Sequence, residues 1–66
     1  MTNAVLDEAE ALLAELTAIS GPVPDDRLKP YARRVGEICY RAKPTDHPVL
    51  EALAKCLRRI GEIGGG

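Results

Sequence analysis

The chain of 66 residues is 45% hydrophobic and 29% charged, with a formal net charge of -1, a composition typical of one small soluble domain. A chain this short buries only about 60% of the surface that its unfolded form exposes, so we expect an isolated monomer to be marginally stable. There is no Trp and no Phe, and no apolar run approaches the length of a membrane span, which excludes an aromatic core and argues against a membrane protein.

The first predicted element is an amphipathic helix over residues 3–19. Asn3 or Thr2 can cap its start. Leu6 and Leu13 widen its apolar stripe beyond what one neighbouring helix needs, so we expect part of the stripe to meet a third helix or a second protomer. The stripe itself advances in steps of four and three, the spacing of one helical face: Val5, Ala9, Leu12, Leu16 and Ile19.

The second predicted helix covers residues 30–42. Proline has no N–H and disfavours helical backbone at the residue before it, so we expect Pro30 in the first turn. Residues 25–29 would then form a turn or a short lead-in. The apolar stripe of this segment again has helical spacing: Leu28, Tyr31, Val35, Ile38 and Ala42.

The third predicted helix covers residues 46–62. Thr45 or Asp46 can act as its N-cap. Leu50 and Leu57 lie beside its apolar stripe, which is formed by Val49, Leu53, Cys56, Ile60 and Ile63.

These elements predict a single all-α domain over residues 1–66. No segment alternates apolar and polar residues with period two, so we expect three helices and no sheet. The glycines at positions 64–66 are expected to form a flexible tail.

The charges predict how the first two helices pack. All nine basic residues lie at or after Arg27, whereas six of the ten acidic residues precede it. Glu8 and Glu15 follow one edge of the first stripe, and Arg34 and Arg41 follow the corresponding edge of the second. An antiparallel helical hairpin would pair Glu15 with Arg34 and Glu8 with Arg41 in a single register. The same register could form between two chains of a dimer.

Residues that could carry catalysis or bind a metal are few. Cys39 and Cys56 lack CxxC spacing and no signal peptide precedes them, which predicts free thiols in a reducing cytoplasm. His47, the one histidine, completes no zinc-ligand motif with these cysteines. The six glycines form no phosphate-binding loop. We therefore expect no enzyme activity, no cofactor and no metal.

Recognition of another protein is the favoured function. Tyr40 lies on the side of the second helix opposite its core stripe, near Arg33, and an exposed tyrosine bordered by arginines is typical of an interface centre. Asp7 and Glu10 give the first helix an acidic face that could engage a basic surface. We therefore predict a small non-enzymatic regulatory protein: an inhibitor, anti-activator or adaptor of the kind that phages and mobile elements encode.

Two alternatives remain open. A helix-turn-helix-like regulator would bind nucleic acid, but the pI of 5.7 is low for such a domain and the start of the third helix offers few groups for base edges. A purely structural oligomerisation module is the other. The basic residues available to DNA phosphates would be Arg33, Arg34, Lys55, Arg58 and Arg59.

We also expect a homodimer, because a small aliphatic core gains stability when a second copy covers its apolar edges. The positions expected to take part in self-association lie on the first and third helices: Leu6, Leu13, Leu16, Leu50 and Leu57.

Overall fold

The computed structural model describes residues 3–64, which form three helices joined by two short loops. These are α1 (Ala4–Ala18), α2 (Asp25–Arg41) and α3 (His47–Ile63), and no strand occurs within this range. The prediction of an all-α, three-helix chain is confirmed. The expectations for Thr2 as a cap and for Gly65 and Gly66 as a tail lie outside the described residues.

The N-terminal ends of α1 and α3 are joined by one asparagine. The Asn3 side chain accepts the backbone N–H of Leu6 at 3.1 Å, which makes it the N-cap of α1, as one of the two predicted candidates. Its amide nitrogen donates to the carboxylate of Asp46 at 3.0 Å. Asp46 occupies the N-cap position of α3, but its side chain caps no N–H of that helix and instead accepts from Asn3.

Helix α2 begins at Asp25, five residues before the predicted start. The prediction that residues 25–29 form only a turn or lead-in is therefore wrong. Pro30 lies inside the helix, on its exposed side. The proline removes one helical N–H donor without introducing a buried polar group, because this part of α2 faces solvent.

The early start of α2 follows from what its first turns contact. Leu28 is 7% exposed, and helical backbone around it directs its side chain into the core. The carbonyl of Pro24 accepts the backbone N–H groups of Arg27 and Leu28 at 2.9 and 3.3 Å. Asp25 and Asp26 add negative charge at the helix N-terminus, where the macrodipole favours it. These interactions outweigh the local preference that Pro30 imposes.

Helices α1 and α2 form the antiparallel hairpin that the charges predict. Arg34 Nη2 lies 2.9 Å from Glu15 Oε2, and Arg41 pairs with Glu8 one helical heptad away. Both ion pairs form within one chain and in the expected register. All four side chains remain close to half exposed, so the pairs specify how the helices align more than they stabilise the fold.

Helix α3 lies parallel to α1. The contacts between them join residues separated by a nearly constant interval: 43 for Asn3 and Asp46, 47 for Ala9 and Cys56, and 43 for Leu16 and Arg59. A constant interval along two helices means that they run in the same direction. The chain is thus an up-down-up bundle, with α1 and α3 in contact along their length.

The loop between α1 and α2 packs on the C-terminal end of α3. The N–H of Val23 donates to the carbonyl of Ile63 at 2.7 Å. Gly21 lies so close to the same residue that an added Cβ would be 2.9 Å from Ile63 Cα. Glycine is therefore required by this close approach of two backbones.

The three helices enclose one aliphatic core. Leu12, Leu16 and Val49 are completely buried, and no charged or polar side chain is buried among residues 3–64. The buried set contains three positions from α1, three from α2 and five from α3: Ala9, Leu12, Leu16, Leu28, Val35, Ile38, Val49, Ala52, Leu53, Cys56 and Ile63. The predicted stripes therefore face one another.

Candidate protein-interaction surface

The outer face of α2 carries the most exposed large apolar side chain among the described residues. Tyr40 is 92% exposed. Arg33 lies seven residues before it on the same helical face, and both line one shallow surface depression with Gly36 and Glu37. Nothing lies within 4 Å of the position that a Cβ on Gly36 would occupy. The tyrosine ring therefore stands clear of its neighbours, with a guanidinium beside it.

Asp7 and Glu10, the other predicted partner-binding residues, lie on the outer face of α1. Both side chains are exposed, and neither forms an ion pair with any other residue in the range 3–64. The structure therefore brings the predicted site residues together in two pairs, one on α1 and one on α2. It does not join all four into a single patch.

The five leucines expected to mediate self-association have different environments. Leu16 is completely buried in the chain's own core, so its side chain is not accessible to a second copy. Leu6 and Leu13 are half-buried and pack against that core. Leu57 is 56% exposed, and Leu50, one heptad before it, is half-buried. Only the two α3 leucines stand apart from the core cluster.

A groove of about 570 Å³ lies between the C-terminal end of α1 and the first turns of α2. Apolar groups of Ile19, Val23 and Tyr31 contribute to its walls, with Arg27 and Arg34 also lining it. Sequence reasoning missed this groove because it depends on the early start of α2, which makes residues 25–29 helical.

The five basic residues considered for DNA phosphates do not form one surface. Arg34 is bound to Glu15. Arg59 donates from Nε to the carbonyl of Leu16 at 3.1 Å and from Nη2 to that of Ile19 at 2.7 Å, so it holds the C-terminal end of α1. The remaining three are exposed and form no ion pair within residues 3–64: Arg33, Lys55 and Arg58.

The role of Arg59 was not found from the sequence, where it stands beside the polar face of α3 without an obvious partner. The last turn of α1 contains no basic residue of its own. A cation from another helix therefore supplies both the hydrogen bonds and the charge that a helix C-terminus favours. The sequence does not indicate that α3 passes close to the C-terminal end of α1, and the role of Arg59 depends on that proximity.

The two cysteines differ in environment. Cys39 is exposed, whereas Cys56 is buried between α1 and α3, with its thiol 3.8 Å from the carbonyl oxygen of Ala9. Burial raises the pKa of the Cys56 thiol because the thiolate would lose its hydration. A buried thiol with a raised pKa is a poor nucleophile.

Over residues 3–64, no three side chains of His, Cys, Asp or Glu are grouped so as to hold a metal ion. None of the three helices has both the length and the apolar character to cross a bilayer. What the chain presents is a set of exposed surfaces with one prominent tyrosine. No family model, curated protein or solved structure matches the chain.

Proposed function

We propose that this protein is a small non-enzymatic regulator that binds and modulates another protein through the outer face of α2. The observation that carries the proposal is the 92% exposure of Tyr40 next to Arg33. Tyrosine and arginine are the residue types most enriched at the energetic centres of protein interfaces. A large aromatic ring held on a rigid helix loses little conformational entropy when a partner covers it.

The charges beside Tyr40 suit a partner with acidic or hydrogen-bond-accepting groups. Arg33 is exposed and forms no ion pair within residues 3–64, so its guanidinium is available to a carboxylate or a backbone carbonyl. Arg41, which lines the same depression, is already paired with Glu8. The guanidinium of Arg33 is therefore the cation of this depression that remains available to a partner.

The acidic outer face of α1 is a second contact area in this proposal. Asp7 and Glu10 lie three residues apart on one side of the helix and would engage a basic surface of the partner. Proteins of this size and charge layout fit the roles of inhibitor, anti-activator or adaptor, including those encoded by phages and mobile elements. We propose that the protein acts in the cytoplasm, as a homodimer.

The alternative of a nucleic-acid-binding regulator has less support. Arg34 and Arg59, two of the five basic residues that it requires, are engaged within the fold. The three that remain lie on different helices, Arg33 on α2 and Lys55 and Arg58 on α3. Phosphate binding by so few cations would be weak, because the electrostatic part of the affinity depends on the number of phosphates that a protein neutralises.

Affinity capture from nuclease-treated host lysate, read by mass spectrometry, tests the proposal. We expect the wild-type protein to capture one stoichiometric protein partner, and the Tyr40→Ala and Arg33→Ala variants to lose it. Lys55→Ala, which removes an exposed charge from α3, is the matched control and should retain the partner. Charge reversal at Asp7 and Glu10 tests the second contact area separately.

Each other outcome of the capture experiment has a defined meaning. Recovery of bound material only from a parallel lysate that has not been treated with nuclease would overturn the proposal in favour of nucleic-acid binding. Recovery of the protein alone would favour the oligomerisation module. Retention of a protein partner by the Tyr40→Ala variant would show that the outer face of α2 is not the binding surface.

A further inference from the structure

The outer face of α3 carries two leucines that lie outside the core cluster, Leu50, which is half-buried, and Leu57, which is exposed. Leu50 and Leu57 lie seven residues apart on this face, and Leu57 is 56% exposed. Ala54 lies between the two leucines and Gly61 lies one turn after Leu57. Both are exposed and at helical spacing on this face. Exposed leucines next to small residues allow a second helix to approach closely.

The same face carries one acidic and one basic residue along its edge. Glu51 and Arg58 lie seven residues apart, and neither forms an ion pair with any residue in the described range 3–64. Glu62 lies four residues after Arg58 but is near Arg59 instead, with a carboxylate oxygen of Glu62 and Nη1 of Arg59 3.8 Å apart. Both charges are therefore available to a neighbouring molecule.

We propose that a second copy of this chain packs on this face, with the two α3 helices antiparallel and a twofold axis passing at Ala54. The midpoint of Leu50 and Leu57 lies within half a residue of Ala54, as does the midpoint of Glu51 and Arg58. An antiparallel twofold pair therefore places Leu50 opposite Leu57 of the partner subunit. It also brings Glu51 near Arg58 of the partner subunit, in a register two residues (about 3 Å of helix rise) from the one that aligns the leucines, and symmetry forms each contact twice.

The charge pattern favours a second copy over an unrelated partner. Glu51 precedes Arg58 along one edge of α3. A second copy in the antiparallel direction presents the same two charges in the opposite order, so that each negative residue lies near a positive one. A partner of uniform charge would repel one of the two. This inference rests on the proposed self-association and adds its interface, which is separate from the Tyr40 surface.

Sedimentation equilibrium over a range of concentrations tests the pairing. We expect the mass of the wild-type protein to rise towards twice the monomer mass of 7.1 kDa. Glu51→Arg or Arg58→Glu alone should weaken the dimer about tenfold, since symmetry places two repulsive contacts in one interface. The double variant should recover most of that loss. Circular dichroism establishes that each variant keeps its helices.

Cross-linking tests the position of the axis directly, because a residue on a twofold axis faces itself. In a Cys39→Ser background, Ala54→Cys should form a disulfide-linked dimer under mild oxidation. Ala14→Cys, an exposed alanine on α1, is the matched control and should remain monomeric.

Two results would overturn the inference in distinguishable ways. A monomer at all concentrations would exclude both the self-association and this interface. A dimer that is insensitive to both charge reversals and is not cross-linked in the Ala54→Cys variant would exclude this interface alone. Neither result bears on the binding of another protein through Tyr40.

Discussion

The guanidinium of Arg59 donates to the backbone carbonyl of Ile19 at 2.7 Å, which fastens α3 to the C-terminal end of α1. The same side chain donates to the carbonyl of Leu16 at 3.1 Å. The Leu16 carbonyl also accepts the backbone N–H of the C-cap residue Ile19 at 3.3 Å, so the arginine is its second donor. Arg59 therefore adds to the end of α1 the positive charge that the last turn of this helix does not itself contain.

Replacement of Arg59 by alanine should lower the free energy of unfolding by about 1 to 2 kcal/mol, because charge-assisted hydrogen bonds to two carbonyls are lost at a partly buried site. Chemical denaturation followed by circular dichroism measures the change. Arg59→Lys keeps the charge but lacks the planar guanidinium, so its free energy of unfolding should lie between those of the wild type and Arg59→Ala. Lys55→Ala, from the exposed side of α3, should be close to neutral. Equal effects of Arg59→Ala and Lys55→Ala would contradict the capping role.

Acid should weaken the α1–α2 hairpin through Glu15. The hydrogen bond from Arg34 holds the pKa of the Glu15 carboxyl below its ordinary value. A lowered pKa in the folded state means that the stabilisation is present above the ordinary carboxyl pKa and is lost as pH falls through the folded value. The pKa of Arg34 is raised, so its own contribution is lost only in strong alkali.

Thermal unfolding between neutral and acidic pH, compared with Glu15→Gln, measures this contribution. The wild-type midpoint should fall more steeply than that of the variant, and the two curves should converge at low pH. Glu10→Gln removes an exposed carboxylate that has no ion pair within the described range, and it should follow the wild type. Parallel curves for the wild type and Glu15→Gln would show that the ion pair does not contribute in solution.

The two thiols should react at very different rates. Cys39 is exposed and should be modified promptly by a thiol reagent in the native protein. Cys56 should react only after unfolding, because its thiol is buried and its pKa is raised. Mass spectrometry of the native protein should therefore detect one modification, and the Cys39→Ser variant none. Rapid modification of both thiols would mean that α1 and α3 separate readily.

Two glycines should respond in opposite ways to alanine. Gly36 lies in the middle of α2 with open space around it, so Gly36→Ala should stabilise the protein by about 0.4 to 1 kcal/mol through helix propensity and lower unfolded-state entropy. In Gly21→Ala the new Cβ would be 2.9 Å from the backbone of Ile63, so the loop must move and the protein should lose stability. Midpoints of thermal unfolding compare the two. Stabilisation by Gly21→Ala would show that the loop does not contact α3 as described.

Much of this arrangement could be predicted from sequence because its determinants are periodic. The apolar stripes and the heptad spacing of Glu8, Glu15, Arg34 and Arg41 depend only on helix geometry, and both agree with the structure. The start of α2 could not be predicted in this way. Pro30 favours a helix that begins at residue 30, but the burial of Leu28 outweighs this local preference.

The contact between α1 and α3 has a counterpart in the sequence of the two helices. Their apolar positions correspond at a separation of 44 residues, with Val5 and Val49 identical, as are Leu6 and Leu50, and Leu13 and Leu57. Such a correspondence is expected of parallel neighbours that share a core. The position of Tyr40 was predictable from the helical wheel, but whether a partner covers it depends on a molecule that the sequence does not encode.

The parallel packing of α1 and α3 also determines when the protein can fold during its synthesis. The hairpin of α1 and α2 can form as soon as both have left the ribosome, yet Ala9, Leu12 and Leu16 remain without the helix that covers them. That helix follows both of them in the chain, and Ile63, which the loop at Val23 contacts, lies at its end. The nascent chain therefore exposes an incomplete apolar surface until the final turn of α3 emerges. The docking of α3 should therefore complete the fold in one cooperative step.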